Sequence, residues 1–347
     1  MIIKDVAVVI LNWNGINHLK EFLPSVVNHT NNNIADVWVI DNASTDESIQ
    51  FLKVNYPGIK IIVNKQNGGF AKGYNDGLKH IEAKYYLLLN SDVEVTAQWL
   101  EPLYQKMESS KNIAACQPKI LDYKNKTSFE HAGAAGGFID KFGYPFCRGR
   151  LFNHLEKDLG QYNNDVEIFW ATGACMMVNA KLYHQQQGFD ESFFAHMEEI
   201  DLCWRLKNED YSIAFVHNAL VYHLGGGTLS SISPNKTYLN FRNNLYLLYK
   251  NLPDKFLYRT IFARMVLDGV AFFHFVLGAK FNHAFAILNA HASFYKNIGK
   301  LKKNRALKKQ YHHLKLLIGV YNNSIVFDFY IKSKKLFNQL NSKKFSQ

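Results

Sequence analysis

The sequence predicts an α/β fold: a mostly parallel sheet flanked by helices, followed by a helical, membrane-associating C-terminal region. Three observations lead there. Apolar, β-branched runs alternate with helix-like segments through the first half of the chain. Polar residues gather where successive strand-like runs end, and the cationic surplus is confined to residues 251–347.

The alternation begins at Val6–Asn12, an unbroken apolar run suited to a strand covered on both faces, and Asn14-Gly15 ends it. This apolar start has no small-residue cleavage site and leads directly into a turn, so it is expected to be a buried strand and not an export signal. A helix is expected over 16–29, strands over 37–41, 59–63 and 85–90, and helices over 70–82 and 96–109. Ser44 or Thr45 can cap the helix after the second strand, because a hydroxyl satisfies an orphan backbone N–H. Such β/α units imply parallel strands joined by right-handed crossovers. Residues 123–165, rich in Gly, Asn and aromatics, look like an inserted loop-and-strand region. Short strands are expected over 171–178, 212–216 and 220–223, a helix over 199–208, and mainly helix beyond Lys236. A boundary near Asn251 separates a catalytic domain, 1–250, from a basic, aromatic-rich region, 251–347.

The 48% hydrophobic content of this 347-residue chain suffices for a full core and argues against disorder. Cys116, Cys147, Cys175 and Cys203 are widely spaced and lack metal-ligand spacing, so reduced core thiols in a cytoplasmic protein are expected. Of the net charge of +11, residues 251–347 carry 17 Lys and Arg against three acids, whereas residues 1–250 carry 23 against 26. A near-neutral body with a basic tail suits an anionic surface. Phe262, Val266, Phe272, Phe273, Phe275, Phe281 and Phe285 stand among Arg259, Arg264, Lys280 and Lys296. The longest uncharged run there, 269–279, has 11 residues. A spanning helix needs about 20, so a helix lying in the membrane interface is expected instead. The basic run 301–310 alone does not indicate nucleic acid, since no nucleic-acid-binding module accompanies it.

In an open parallel sheet, ligands bind beyond the carboxyl ends of the strands. Asn12 and Asn14, Asp41-Asn42, Asn64 to Asn67, and Asn90-Ser91-Asp92 occupy four successive strand ends. Further on, Glu198, Glu199 and Asp201 open a helix, where acids complement the helix dipole and Asp201 can pair with Arg205. The aromatic stretch FDESFFAHM before them can shield a carboxylate and raise its pKa.

The ordered segments VVILNWNG, VIDNASTD, NGGFAKGYNDGL, LLLNSDVEV and GFDESFFAHMEEIDLCWRL resemble family-2 glycosyltransferases of the GT-A fold, and the rhamnosyltransferase-like branch in particular. The resemblance covers about residues 5–250. It implies that Asn12 and Asp41 line the donor site, with Asp41 bonding the nucleotide base, and that Asn67, Gly68 and Gly69 pass close to the nucleotide. Asn90-Ser91-Asp92 takes the place of the Asp-x-Asp metal motif, with an amide for the first acid. Asp92 and His223 are then the implied metal ligands, followed by the glycine run Gly225-Gly226-Gly227, and Mn²⁺ or Mg²⁺ is the implied cation. Glu199 is the implied base, with Glu198 as its neighbour.

The implied activity is inverting transfer of a sugar from dTDP-rhamnose or a UDP-sugar to a hydroxyl of a lipid-linked or polysaccharide acceptor, at the inner face of the cell membrane. A nucleotidyltransferase is the alternative enzyme class, but Asn12-Trp13-Asn14-Gly15 offers no Gly-rich loop with a cation. A catalytically degenerate membrane-bound relative fits less well, because Asp92 and Glu199 are both present. A dinucleotide-dependent dehydrogenase is poorly supported, because no G-x-G-x-x-G follows the first strand.

Overall fold

The computed structural model describes residues 3–225, 233–306 and 312–346. Gly226 and Gly227 of the glycine run, and Lys308 and Lys309 of the basic run, lie outside them. The first half alternates as expected through β1 (Val6–Asn12), α1 (Ile16–His29), β2 (Ala35–Asp41), α2 (Ser48–Asn55), β3 (Lys60–Val63), α3 (Gly69–Leu78) and β4 (Tyr85–Asn90). Strand β5 (Val93–Val95), absent from the expectation, comes before the expected α4 (Leu100–Ser109) and the equally unexpected β6 (Ile113–Asp122). The period-two pattern of β1 explains the layering. Val6, Val8 and Ile10 pack toward Leu19, Leu23 and Val26 of α1, while Ala7 and Val9 join Tyr74 and Leu78 of α3 on the opposite face. Helices on both faces therefore leave no side of the sheet for solvent.

The irregular middle builds β7 (Gly137–Asp140), β8 (Pro145–Cys147), β9 (Arg150–Leu151) and β10 (His154–Leu155), then β11 (Val166–Ile168), β12 (Cys175–Asn179), α5 (Ala180–Gln185) and α6 (Glu198–Lys207). The two short strands expected over 212–216 and 220–223 are one strand, β13 (Ser212–His223), with a register shift between Val216 and Leu220. An irregularity of that kind reads in sequence as a break, although the ladder continues through it. The main sheet has the order β11-β13-β6-β12-β4-β1-β2-β3, and β5 pairs with β13. Its β4-β1-β2-β3 half is parallel, whereas β12 runs antiparallel to both β4 and β6. All four cysteines are buried and free.

Three long helices follow: α7 (Pro234–Asn251), α8 (Asp254–Leu277) and α9 (Phe281–Ala306). The chain then returns to the body, where β14 (Val320–Tyr321) adds to the second sheet, β10-β9-β8-β7-β14, before α10 (Ile325–Tyr330). The expectation of mainly helix beyond Lys236 thus fails at β14, a two-residue strand that only its parallel pairing with Ile139 and Asp140 defines.

The exclusion of a spanning segment also needs correction. Helix α8 is 24 residues long, enough by length and composition to cross a membrane, and only 17% of its most apolar window is buried. The charges that interrupt its apolar run, Arg264 and Asp268, both turn inward. Arg264 Nε lies 2.7 Å from Asp268 Oδ1, His291 Nε2 of α9 lies 3.0 Å from Asp268 Oδ2, and the guanidinium also donates to Asn244 Oδ1 of α7. The outward stripe is apolar: Tyr258, Phe262, Val266, Val270, Phe273 and Leu277 on α8, continued by Phe281, Phe285 and Leu288 on α9.

The buried pair yields a stability test. Arg264→Met strands the Asp268 carboxylate and should cost about 3–5 kcal/mol in chemical denaturation, whereas Arg264→Met/Asp268→Leu should recover most of that loss. Equal stabilities for the wild type and the single variant would contradict the buried pairing.

Candidate active site

Parallel register aligns the strand ends. Asn12 stands opposite Asp41, and Leu11 opposite Asn90. Asn12 Nδ2 donates to Asp41 Oδ2 at 3.0 Å and to Ser44 Oγ at 3.2 Å, while Asp41 Oδ1 accepts from Ser44 N at 2.8 Å. Asp41 is wholly buried, so its carboxylate organises the turn after β2. Asn12 Oδ1 is buried without a hydrogen-bond partner. Ser44 does not cap the helix that follows it; its hydroxyl accepts from Asn14 N at 2.9 Å. Asp46 Oδ2, from the same loop, accepts from Ile16 N at 3.0 Å at the start of α1.

Asn42 carries the network sideways. Its Nδ2 donates to Asn67 Oδ1 at 2.9 Å and to Gly69 O at 3.1 Å, and Asn64 Nδ2 donates to Asn42 Oδ1 at 3.0 Å. Asn67 Oδ1 also accepts from Gly69 N at 2.9 Å, which shapes the entry to α3. Gly69 has a φ of 80°, and a Cβ there would lie 2.8 Å from the Phe194 ring. Glycine is therefore required on two counts. Gly68 has ordinary backbone, with φ −89°.

His223, at the end of β13, comes beside β4 and β5. Its Nε2 lies 3.2 Å from Asp92 Oδ1 and 3.4 Å from Asn90 Nδ2. Its Nδ1 lies 3.3 Å from Glu130 Oε2, within ion-pair reach but bent away from a good hydrogen bond. Asp92, Glu130 and His223 are all buried. Burial alone would push the imidazole pKa down, but the two carboxylates overcome it and hold it at about 10. Burial would likewise raise the pKa values of Asp92 and Glu130, and His223 holds both below the ordinary range. Among the described residues, no group of three or more His, Cys, Asp or Glu is arranged to hold a metal ion. Asp92 and His223 nevertheless face each other at 3.2 Å, and they fit as two neighbouring ligands of one small cation provided that the cation takes the place of the imidazole proton the carboxylates hold. Glu130 was absent from the expected set. It lies in a loop after β6 with no motif around it, and only the strand order brings it to His223.

The acidic helix α6 opens after Met197, whose φ is 76°. Asp201 is structural, as its spacing predicts: Arg205 Nε lies 2.8 Å from its Oδ2, and Asn251 Nδ2 donates to its Oδ1 at 2.8 Å. Glu198 is 4% exposed, and burial together with the neighbouring Glu199 charge pushes its carboxyl well above the usual range. Glu199 is more accessible, yet its Oε2 is buried and has no hydrogen-bond partner. Burial raises its pKa to about 7. In the aromatic stretch before them, Phe189 and Phe193 are buried and Phe194 is set against Gly69. Phe70 N donates to Phe194 O at 3.1 Å, so the strand-end network and the approach to Glu199 are directly joined.

Known proteins resemble this chain on the same scale. The low-salt glycan biosynthesis hexosyltransferase Agl10 of Haloferax volcanii is 24% identical over 272 residues, 75% of this chain and 81% of that protein. The N-acetylglucosaminyl-diphospho-decaprenol L-rhamnosyltransferase of Mycobacterium tuberculosis is 23% identical over 62% of this chain and 75% of its own length. A mannosyltransferase from Pyrobaculum calidifontis, solved with GDP-Man and Mn²⁺, matches 88% of this chain and 81% of its own with a TM-score of 0.52. Its 13% identity makes that a likeness of fold, which is GT-A. The family model for glycosyl transferase family 2 matches residues 7–185, just over half of the chain, and this protein belongs to that family.

Proposed function

We propose that this glycosyltransferase transfers one sugar with inversion, from dTDP-rhamnose or a UDP-sugar to a hydroxyl of a lipid-linked or polysaccharide acceptor, at the cytoplasmic face of a membrane. The observation that carries the reading is Glu199, with a buried, unpartnered carboxylate oxygen and a pKa near 7. A base of that pKa is half ionised near neutrality and strong enough to take an acceptor proton there. Glu199 accepts the hydroxyl proton as that oxygen attacks the anomeric carbon opposite the diphosphate. One attack without a glycosyl-enzyme intermediate inverts the configuration. Asn67 and the backbone around Gly68 and Gly69 receive the nucleotide, and the helix start at α3 favours its phosphates. The direct bond from Asp41 to the base that the resemblance implies does not suit a buried carboxylate already bonded to Asn12 and Ser44; Asp41 instead holds the turn after β2, and Asn12 and Asn90 complete the donor site.

Asp92 and His223 would hold a divalent cation, Mn²⁺ or Mg²⁺, which would supply charge to stabilise the departing nucleoside diphosphate. The imidazole ligand favours Mn²⁺. The outward apolar face of α8 and α9, flanked by exposed Lys280, Lys296, Lys300, Lys302 and Lys303, supports docking to an anionic leaflet. Arg305 does not belong to that set, because it pairs inward with Asp254 at 2.5 Å and donates to Tyr249 O at 2.7 Å.

A panel of nucleotide sugars, scored for released nucleoside diphosphate with and without Mn²⁺, tests the donor class directly. Asp92→Asn should abolish turnover and weaken Mn²⁺-dependent binding of the nucleoside diphosphate in calorimetry. Unchanged affinity and rate would remove Asp92 from the metal role.

Glu199→Gln should lower the rate by about 10²–10⁴-fold while donor binding survives, with Glu198→Gln milder. In the wild type, kcat should fall as pH drops below about 7, because protonation removes the base. The variant should lose that acid limb. A pH profile shared by both proteins would dismiss Glu199 as the base.

Co-sedimentation with anionic vesicles should be strong at low salt and partly reversed at about 0.5 M salt, where screening is short-ranged. Replacing Phe262, Phe273, Phe281 and Phe285 with Ser should release the protein without changing transfer to a soluble acceptor analogue. Binding indifferent to lipid charge and to these substitutions would refute membrane docking.

A further inference from the structure

We propose that Asn243, on α7, is a positioning residue for the general base: its side-chain amide holds the loop that aims Glu199. The inference rests on the glycosyltransferase reading above and adds a residue outside both the strand ends and the acidic pair.

The loop 193–197 has an unusual backbone. Phe194, His196 and Met197 have φ values of 65°, 70° and 76°, and none is glycine. Left-handed backbone is disfavoured for residues bearing a Cβ, and it persists only where the surroundings hold it. Such a path also turns carbonyls away from any helix or strand that could satisfy them.

Asn243 supplies what the loop lacks. Its Nδ2 lies 3.1 Å from Phe193 O, 2.9 Å from Ala195 O and 2.7 Å from His196 O. Three carbonyls thus share the two hydrogens of one amide. The residue is 0% exposed, so water has no route to replace it. Arg242 sets the orientation of that amide, with Nε and Nη2 donating to Asn243 Oδ1 at 2.9 and 2.7 Å. A flipped amide would place its NH₂ against the guanidinium donors and its oxygen against the carbonyls. Arg242 Nη2 itself reaches Ser192 O at 3.2 Å and Phe193 O at 2.9 Å.

The remaining carbonyl faces the other way. Phe194 O accepts from Phe70 N, immediately after Gly69. The loop is therefore strung between α7 and the segment that receives the nucleotide. Its last residue, Met197, starts α6, where its carbonyl accepts from Asp201 N at 2.9 Å. Glu198 and Glu199 follow at once. Any relaxation of the loop rotates the first turn of α6 and moves the Glu199 carboxylate, whereas the strand-end network has supports of its own. Displacing a catalytic group by about 1 Å can cost about 10²-fold in rate.

The test compares Asn243→Asp, which puts an acceptor where the loop needs donors, with Asn243→Ser, which keeps one donor. The Asp variant should lose about 10²-fold in kcat. The Ser variant should fall between it and the wild type. Calorimetric affinity for the nucleoside diphosphate should stay within about twofold, and the acid limb of the kcat–pH profile should move. In a Glu199→Gln background the Asp substitution should add almost no further loss, because the group it positions is already gone. A general structural role predicts equal losses in both backgrounds and an unmoved acid limb, and that result would overturn the proposal. Should the Asp variant not fold, the Ser variant decides by the same cycle. Wild-type protein that turns over no nucleotide sugar would overturn the enzymatic reading itself. Amide hydrogen exchange over residues 193–199, unchanged by both substitutions, would overturn the clamp independently of activity.

Discussion

The polar edge of the parallel sheet in this glycosyltransferase depends on a buried carboxylate. Asp41 is inaccessible at the end of a central parallel strand, where an ion without partners would be costly. Ser44 N satisfies it from within the turn, and Asn12 Nδ2 does so because β1 and β2 are in parallel register. The turns after these strands are therefore fixed by hydrogen bonds and not by packing alone. Asn42, Asn64 and Asn67 extend the same arrangement to the start of α3. The edge is thus ordered in advance, which on the proposed reading leaves little ordering to oppose binding of a nucleotide.

The second half of the site is held from the C-terminal side. Helix α7 lies between two buried charge clusters. Toward the body, Lys250 pairs with Asp190 and lies 2.9 Å from Asp201, which also binds Arg205. Toward the hairpin, Asn244 accepts from Arg264, which pairs with Asp268, which in turn meets His291. Asn244 Nδ2 also lies 3.9 Å from Met197 Sδ at the start of α6. The hairpin that exposes its phenylalanines outward is thus attached through charges turned inward. Such pairs add little net stability over an apolar core, but they penalise misdocking because a broken pair leaves a buried charge.

The cationic tail acquires a more exact meaning from this arrangement. Its net charge counts Arg264 and Arg305, yet both are neutralised by acids within the fold. Among the described residues of α8 and α9, exposed charges such as Arg259 and Lys296 and the exposed apolar side chains are carried by different residues of the same two helices.

Much of this was legible in the order of residues. A continuous apolar strand, a polar strand end and an amphipathic helix are local patterns, and local patterns suffice for β1 to β4, for α4 and for the placement of Asp41 and Asp92 at strand ends. Four features were not legible. The break expected inside β13 is a register shift, which depends on the neighbouring strand and not on residues 212–223 themselves. Glu130 reaches His223 only because β6 and β13 are neighbours, and Asn243 reaches the loop before Glu199 only because α7 packs across it. Composition counted Arg264 and Asp268 as interruptions of an apolar run, whereas the helix places them on one buried side. Sequence by itself determined which residues form strands, helices and polar strand ends, because those choices are made among near neighbours. Tertiary structure alone decided which polar groups meet, because a buried charge or a strained loop is held by partners brought from distant positions in the chain.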